Sequence, residues 1–370
     1  MKIRYISNAR IPTEKAHGVQ IMSMCEAFAE IGHDVELVVP SKRDFLSTEP
    51  FAYYGIMRNF TIRTISIPDI GSRSERLPRL LLALDVFSFV VRLMFSNVAQ
   101  KGDTLYLRDF QLLFAFSPRK NPLIIEVHHI YGWRKVFVRA LKRATRIVAI
   151  TQALKDDLVA LGLSADRIVV APDAVNISLF ANVESREIAR RRLGLGVEKK
   201  IAFYIGRIDK WKGTDVLFEA ATHMKEVQVV VIGNGPEDIA VLQARHPAVV
   251  FLGFRPYREI ANNQAAANVL VLPNSGKEEI SARFTSPLKL FSYMAAKKPI
   301  VVADLPSMRE ILSGNEAYFF RADDARDLAR AIEQALSDPE GGARAARAYE
   351  KVLQYSWTAR ARNVLENLHA

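Results

Sequence analysis

The chain has 370 residues, of which 49% are hydrophobic and 25% are charged, and its formal net charge is +11. This length predicts two domains, and the composition excludes a disordered or fibrous protein. The single cysteine, Cys25, excludes an internal disulfide and fits a reducing compartment. The positive charge favours a polyanionic partner, which is an anionic membrane, a nucleic acid or a phosphorylated substrate.

The first half of the sequence alternates short apolar strands with helical segments. Such nearly continuous apolar runs are typical of parallel strands that are covered on both faces, and they predict a Rossmann-like domain over residues 1–172. Because "MKIRYIS" already reads as a first strand, we expect no signal peptide and a cytoplasmic protein. The predicted strands are "IRYIS" (3–7), "VELVV" (35–39), "LYLRDF" (105–110), "LIIEV" (123–127) and "RIVAI" (146–150), with a helix over 18–31.

The most apolar segment is "RLLLALDVFSFVVRLMF" (79–95). It contains Asp85 near its middle and arginines at positions 79 and 92. A transmembrane helix needs roughly 20 consecutive apolar residues, so this segment falls short of one. It therefore predicts a buried helix of the first domain.

A second series of strands follows the segment "RIVVAPDAVNISLF" (167–180). In this segment a predicted strand runs into Pro172 and then into an irregular stretch that is typical of an interdomain hinge. The series predicts a second Rossmann-like domain over 173–350, so that two such α/β domains would face each other across a cleft. The last segment, 351–370, has helical apolar spacing and is predicted to pack back towards the first domain. The second series comprises "IAFYIG" (201–206), "VQVVVIG" (227–233), "AVVFLGF" (248–254), "NVLVLP" (268–273) and "PIVVAD" (299–304).

Two residues of the first domain are candidates for ligand binding. Gly18 stands at a helix entry after the first strand, where it either lets an anion approach exposed backbone amides or is a plain helix-entry glycine. His128 directly follows a buried strand, at the sheet edge where ligands bind in open α/β folds. This position favours a hydrogen bond to a sugar hydroxyl over a purely structural role.

Two cations of the second domain flank the loop after its first strand. Arg207 and Lys212 would repel each other unless an anion lay between them, and a guanidinium suits phosphate oxygens. Gly206 and Gly213 free the backbone of the same loop. The alternative is that both cations are solvated surface charges.

The segment "TSPLKLFSYMAAKKPIVVAD" (285–304) predicts a short helix followed by a buried strand. Ser286 is predicted to cap this helix, and Pro287 suits its first turn. The free amides of such a helix start bind anions.

In the order and spacing of several segments, the sequence resembles a GT-B fold glycosyltransferase of the large retaining family 4, over essentially its whole length. Each segment is weakly specific by itself, whereas the set is strongly specific. The segments are "EKAHG" with "GHDVELVVP", "AITQALKDDLVALGLSADRIVVAPDAVN" (149–176), "GRIDKWKG", "VVIGNGPE" (230–237) and "SPLKLFSYMAAKKPIVVADLPSMREIL" (286–312).

The resemblance implies a role for most of these candidates. Arg207 and Lys212, with Gly206 between strand and loop, would bind the diphosphate of a nucleotide-sugar donor. Gly18 would border the same phosphates, and His128 would lie near the reacting sugar.

The resemblance also places the rest of the donor. The helix start at Ser286, Pro287 and Leu288 would hold the phosphates, while Phe254 and Arg255 would lie near the nucleobase. Such enzymes need no metal or other cofactor and retain the anomeric configuration of the sugar.

The sequence departs from the family pattern at two positions. Many relatives carry two glutamates where this chain has Phe284 and Ser292. Ser292 is expected to make a shorter and weaker donor contact than a glutamate would. Glu278 and Glu279 either supply a replacement carboxylate or are solvated loop acids.

The segment "YGWRKVFVRALKRATR" (131–146) contains six cations and no acid. It predicts an amphipathic helix whose apolar face, Val136, Phe137, Ala140, Leu141 and Ala144, packs on the core or enters lipid. Its cationic face, Lys135, Arg139, Lys142 and Arg146, is either a solvated face or a peripheral contact with an anionic inner membrane surface.

The sequence is compatible with three functions. The leading one is a retaining glycosyltransferase that acts on a glycan or a polyprenyl-diphosphate-linked acceptor. The second is a catalytically silent relative that acts as a binding subunit, and the third is a nucleotide-sugar epimerase. Nucleic acid is not expected as a partner, because the cations do not stand among stacking aromatics.

Overall fold

The computed structural model describes residues 1–41, 48–68, 78–116, 121–130, 132 and 134–368, and for residues 78–82 it describes the backbone alone. The chain divides into two compact units. Unit 1 comprises Met1–Pro172 and Trp357–Ala370, and unit 2 comprises Asp173–Ser356. The sequence predicts domain boundaries at 172/173 and 350/351. The structure divides the chain after Pro172 and after Ser356.

Among the described residues, unit 1 contains a seven-stranded parallel sheet in the order β3-β2-β1-β4-β5-β6-β7. The central strands are buried along their whole length, as in β4 and β5, which explains their unbroken apolar sequences. The strands are β1 (Lys2–Ile6), β2 (Asp34–Ser41), β3 (Thr61–Ser66), β4 (Thr104–Leu107), β5 (Leu123–Val127), β6 (Arg146–Ala149) and β7 (Ile168–Val170).

Six helices lie between the described strands of unit 1. Thr151 caps the sixth helix by accepting a hydrogen bond from the backbone N–H of Leu154 at 3.2 Å. The helices are α1 (Ala16–Glu30), α2 (Pro50–Tyr54), α3 (Pro78–Met94), α4 (Leu113–Phe116), α5 (Arg134–Leu141) and α6 (Gln152–Ala160).

The sequence predicts a buried helix over 79–95, and the prediction is wrong about burial. The helix α3 forms, but it buries only one face, which includes Phe89 and Leu93, and leaves Phe87 65% exposed. Its apolar residues outnumber those that one face of a helix can bury.

Among the described residues, unit 2 contains a six-stranded parallel sheet in the order β10-β9-β8-β11-β12-β13. Its strands and helices surround one continuous hydrophobic core. The strands are β8 (Lys200–Ile205), β9 (Val227–Ile232), β10 (Val249–Phe251), β11 (Val269–Leu272), β12 (Ile300–Ala303) and β13 (Tyr318–Phe320).

The helices of unit 2 complete its α/β layers. Asp324 caps the longest of them, α14, by accepting a hydrogen bond from the backbone N–H of Asp327 at 3.0 Å. The helices are α7 (Arg186–Arg192), α8 (Thr214–His223), α9 (Ile239–Arg245), α10 (Ile260–Ala265), α11 (Glu279–Ala282), α12 (Leu288–Ala295), α13 (Pro306–Arg309), α14 (Ala325–Ser337) and α15 (Gly341–Val352).

The last helix, α16 (Trp357–Leu365), belongs to unit 1 and packs against α1. Trp357, Ala361 and Val364 are buried on its inner side. The two Rossmann-like sheets and the returning C-terminal helix confirm the predicted fold class.

Two strands were missed by the sequence analysis. The edge strand β3, "TIRTIS", is polar and largely exposed, so it lacks the apolar run of a covered strand. The strand β13 has three residues, "YFF", which is too short for a periodic pattern. Over the described residues, no helix combines the length and the apolar character that crossing a membrane requires.

Candidate functional site

His128 lies where β5 ends, at the carboxyl edge of the unit 1 sheet. Its Nε2 atom is 2.8 Å from Oε1 of Glu126, and its side chain is 23% exposed. Burial, and then the charge of Arg108, lower the pKa of His128 below its ordinary value. The imidazole is therefore neutral at physiological pH and suited to hydrogen bonding.

Glu126 is a completely buried carboxylate that joins His128 to three other side chains. Gln20 donates to its Oε1 atom at 2.5 Å, Tyr106 donates to its Oε2 atom, and Arg360 of α16 lies 3.2 Å from Oε2. Burial by itself raises the pKa of Glu126, but Arg360 and His128 outweigh it and hold the pKa well below the usual range. The carboxylate is thus charged, and it holds His128 at the edge of the sheet.

A cavity of about 230 Å³ opens beside this group. Arg108, which donates to Gln20 Oε1 at 3.0 Å, brings a positive charge to it. Burial and then Arg108 lower the pKa of His17 to about 3 and also lower that of His129. The cavity is lined by Arg108, Asp109, Phe110, Glu126, Val127, His128, His129 and Phe137.

Gly18 lies in the first turn of α1, as expected, but its small size already serves a contact within unit 1. A Cβ atom there would overlap the hydroxyl of Tyr54 and approach Thr13 Cγ2. Tyr54 also accepts a hydrogen bond from Thr13 N at 2.8 Å and donates one to Thr13 O at 2.9 Å. Gly18 therefore lets α2 hold the loop that precedes α1.

In unit 2, Arg207 and Lys212 lie on the loop after β8, as predicted. Arg207 is 56% exposed, and its Nε atom is 3.2 Å from Asp209 Oδ2. Lys212 Nζ lies over the ring of Trp211, 3.4 Å from its centroid. Burial lowers the pKa of Lys212 to about 7, although Asp209 opposes this shift.

Gly206 and Gly213 both have backbone angles that favour glycine, with φ of 150° and 69°. A Cβ atom at Gly213 would overlap the carbonyl of Pro273, and one at Gly206 would lie 2.7 Å from Lys289 Nζ. The loop can follow this course only with glycine at these positions.

Lys289, in the first turn of α12, is a cation of this site that the sequence analysis missed. Its Nζ donates to the hydroxyl of Tyr204 at 2.8 Å and lies 4.0 Å from the centroid of that ring. Burial and then the charge of Lys212 lower its pKa well below the ordinary value. A signal existed, because a lysine in the first turn of a helix opposes the helix dipole.

The prediction that Ser286 caps this helix is wrong. The helix α12 begins at Leu288, with Pro287 at the N-cap position and no side-chain cap. The Oγ atom of Ser286 instead accepts a hydrogen bond from Asp173 N at 2.8 Å. The hydroxyl of Ser286 is thus bonded to a residue remote in sequence, and the N-cap position of α12 provides no side-chain acceptor for the amides of the first turn.

Ser292 and Phe284 are both buried, being 1% and 5% exposed. The Oγ atom of Ser292 accepts from Gln264 Nε2 at 2.9 Å and donates to Lys289 O at 2.9 Å. Ser292 is thus bonded inside unit 2, and its neighbour Gln264 occupies the space beside it.

The remaining predicted residues lie on loops of unit 2. Phe254, half-buried, and Arg255, exposed, follow the edge strand β10. Glu278 and Glu279 are exposed, and Glu279 Oε1 is 3.0 Å from Arg283 Nη1.

In the described part of each unit, candidate ligand-binding groups gather at one edge of the sheet. In unit 1 a neutral imidazole and a guanidinium border a cavity, which suits a hydroxylated or anionic ligand. In unit 2 three cations and an uncapped helix start surround a glycine loop, which suits phosphate. Arg108, Glu126 and Arg360 were not predicted from the sequence, although an acid inside the apolar strand "LIIEV" signals a buried partner.

Two family models match the chain. The model described as Glycosyl transferases group 1 matches residues 199–338 in unit 2. The model described as Glycosyltransferase Family 4 matches residues 17–179. Together they include the site residues of both units except Arg360.

Two curated relatives are similar over part of their length. The chain is 23% identical over 250 residues to TuaC of Bacillus subtilis, a protein named provisionally as a teichuronic acid biosynthesis glycosyltransferase, covering 67% of this chain and 61% of that one. It is 28% identical over 243 residues to D-inositol 3-phosphate glycosyltransferase of Corynebacterium aurimucosum, covering 60% and 56%. The chain thus spans less than two thirds of either relative.

The chain also resembles solved structures along its whole length. Against Alr3699/HepE of Anabaena, crystallised with UDP and glucose, the TM-score is 0.76 with 17% identity, covering 100% of this chain and 99% of that one. At this identity the likeness is one of fold.

Proposed function

Because this chain belongs to family 4 of the GT-B glycosyltransferases, we propose that it transfers a sugar from a nucleotide-diphosphate sugar to a glycan or a lipid-linked acceptor. The observation that carries the proposal is the cluster of Lys212 and Lys289, two half-buried ammonium groups with lowered pKa values beside the start of α12. Burying two neighbouring cations is unfavourable without an anion. A diphosphate is the anion that supports this reaction.

The nucleotide sugar is the proposed donor for a second reason. The HepE structures that share this fold contain UDP with glucose, or UDP-glucose. Phe254 and Arg255, beyond the edge strand, are assigned to the nucleobase.

In the proposed reaction, the bond between the anomeric carbon and the diphosphate oxygen breaks first. The charge that develops on the diphosphate is stabilised by three side chains and by the amides at the start of α12. The side chains are those of Arg207, Lys212 and Lys289. These groups supply the charge that a metal would otherwise provide, so the scheme is metal-independent.

An acceptor hydroxyl then attacks the face that the diphosphate leaves and passes its proton to a phosphate oxygen. This course retains the anomeric configuration. His128, neutral and held by Glu126, is assigned to a hydroxyl of the reacting sugar or acceptor.

The free cysteine Cys25 suits a reducing cytoplasm, which is the compartment proposed for the reaction with nucleotide sugars.

The first test is donor binding by the pure protein, measured by calorimetry against a panel of nucleotide sugars. For the sugar nucleotide that binds best, Arg207→Ala and Lys212→Ala should each weaken binding by about 10- to 100-fold, because a charged hydrogen bond contributes about 1.5–3 kcal/mol. Lys225→Ala, which removes an exposed cation elsewhere in unit 2, should leave binding unchanged. If no nucleotide sugar binds, the proposal fails.

The second test separates the remaining alternatives by following product formation. His128→Ala should abolish transfer while donor binding persists. Donor binding without turnover under any acceptor would identify a silent binding subunit. Sugar product formed without any acceptor would identify an epimerase.

A further inference from the structure

The exposed face of α3 is apolar. Leu84, Phe87, Val91, Met94 and Phe95, the last directly after the helix, fall within about 100° of the helical wheel. Phe87 is 65% exposed and Phe95 is 85% exposed. Arg92 is an exposed charge of the same helix, but it lies outside this arc of the wheel. The helix thus presents to solvent the kind of surface that most proteins cover.

Five of the six cations of segment 131–146 are exposed, and none of the five has an acidic partner among the described residues. They are Arg134, Lys135, Arg139, Lys142 and Arg143. Arg146 differs, because its Nη1 atom donates to the carbonyls of Val364 and Glu366. Tyr131 and Trp133 of this segment lie outside the described residues.

The apolar side of α5 is already occupied. Phe137, Ala140, Leu141 and Ala144 are buried, as predicted, while Val136 is exposed. Of the two expected environments for this apolar face, the protein core and lipid, the structure shows the core. If unit 1 inserts apolar groups into a bilayer, another element must provide them.

The helices α3 and α5 lie on the same side of the unit 1 sheet. The helix α3 packs against α4, and α4 packs against α5. Phe114 of α4 is itself 42% exposed. The apolar face of α3 and the cations of α5 therefore lie on two helices that share α4 as a neighbour.

We infer that this face of unit 1 binds a bilayer that contains anionic lipid, with α3 inserting its apolar side chains and α5 contacting the headgroups. Adjacent apolar and cationic surfaces match the two layers of a membrane interface. A symmetric pair of this chain would instead bring the same row of cations together from both partners, which like charges oppose. The inference does not depend on the donor site in unit 2.

Sedimentation with vesicles of phosphatidylcholine, alone or mixed with phosphatidylglycerol, tests the inference with the full chain. The protein should partition onto the mixed vesicles. Phe87→Ser with Phe95→Ser should reduce partitioning by at least about tenfold, since two exposed rings no longer enter the apolar layer. A triple variant should reduce partitioning onto the mixed vesicles by about 100-fold, because each surface cation changes binding about fivefold. Its substitutions are Lys135→Gln, Arg139→Gln and Lys142→Gln.

Matched controls lie in unit 2. Ile188→Ser removes an exposed apolar side chain, and Lys199→Gln, Lys200→Gln and Lys225→Gln together remove three exposed cations. Both should bind vesicles as the unmodified protein does. All altered side chains are exposed, so unchanged thermal melting should show that each variant folds.

Two results would overturn the inference. One is vesicle binding that is absent, or that the α3 and α5 variants leave unchanged. The other is a dimer that Phe87→Ser and Phe95→Ser convert to a monomer without any effect on vesicles, since α3 would then face a second copy of the chain. Nucleotide-sugar binding should persist in both variants, so a failure of the donor site is distinguished from a failure of this surface.

Discussion

Lys212 holds a positive charge where burial disfavours it. Its ammonium lies over Trp211, and its pKa of about 7 compares with 10.5 for an ordinary lysine. A bound diphosphate would favour the charged form and raise this pKa. If the proposed donor binds here, the lysine should take up a proton.

The lowered pKa of Lys212 predicts that donor binding depends on pH. Below about pH 7 the free protein already carries the proton, so affinity is highest there. As pH rises through this pKa, binding must include proton uptake, and the dissociation constant should rise by up to about tenfold per pH unit. Calorimetry in buffers of different ionisation enthalpy would measure both the affinity and the proton.

Lys212→Arg is the control for this prediction, because a guanidinium stays charged across the same range. The variant should bind the donor with little pH dependence and without proton uptake. Equal pH profiles for the two proteins would mean that another group titrates.

At the scale of elements, α16 is fastened to β5 by a buried ion pair. The side chains of Arg360 and Glu126 are 3% and 0% exposed. Arg360 Nε also donates to the carbonyl of Pro172 at 2.8 Å, at the end of the first segment of unit 1. One guanidinium therefore holds the residue that positions His128 and the chain just before the crossing into unit 2.

Arg360→Met should destabilise unit 1 by about 3–5 kcal/mol, because it leaves the charge of Glu126 buried without its partner. Adding Glu126→Gln should recover part of this loss, since no unpaired charge remains. Urea unfolding followed by hydrogen exchange in β5 would measure both effects. Arg146→Met, which removes a partly exposed contact with the same helix, should cost less than about 1 kcal/mol.

The outcome that contradicts this account is a double variant no more stable than Arg360→Met.

The stability that Glu126 contributes also depends on pH, with a defined sign. The pKa of Glu126 is lowered, so its contribution to stability is present above the ordinary glutamate pKa and is lost as pH falls through the lowered value.

At the scale of the whole molecule, the chain leaves unit 1 after Pro172 and returns to it at Trp357. Unit 1 is therefore built from two segments remote in sequence, while unit 2 is continuous. The buried residues Trp357, Ala361 and Val364 complete the packing of unit 1.

Ending the chain at Ser356 should accordingly lower hydrogen-exchange protection in β1 and β5 of unit 1 while β8 and β11 of unit 2 keep theirs. The physical reason is that unit 1 loses apolar burial on α1 together with the partner of Glu126. Equal losses in both units would show that α16 does not serve unit 1 alone.

Much of the fold was predictable because it depends on local patterns. Covered parallel strands need unbroken apolar runs, and most of the strands were found from such runs. The strands β3 and β13 escaped because one is polar at the edge and the other is three residues long. The loop carrying Arg207 and Lys212 was found from its position after a strand.

The sequence by itself determined the order of most strands, the return of the last helix, the family resemblance and the positions of Arg207 and Lys212, the first two cations that we assign to phosphate. Only the tertiary structure decided that Ser286 binds Asp173, that Lys289 joins the cation cluster, that Arg360 pairs with Glu126 and that α3 exposes its apolar face. These features depend on partners far apart in the chain, because a side chain's hydrogen bonds and burial are set by whichever element packs against it. Periodicity can indicate that a residue is apolar or charged, but not which remote neighbour will meet it.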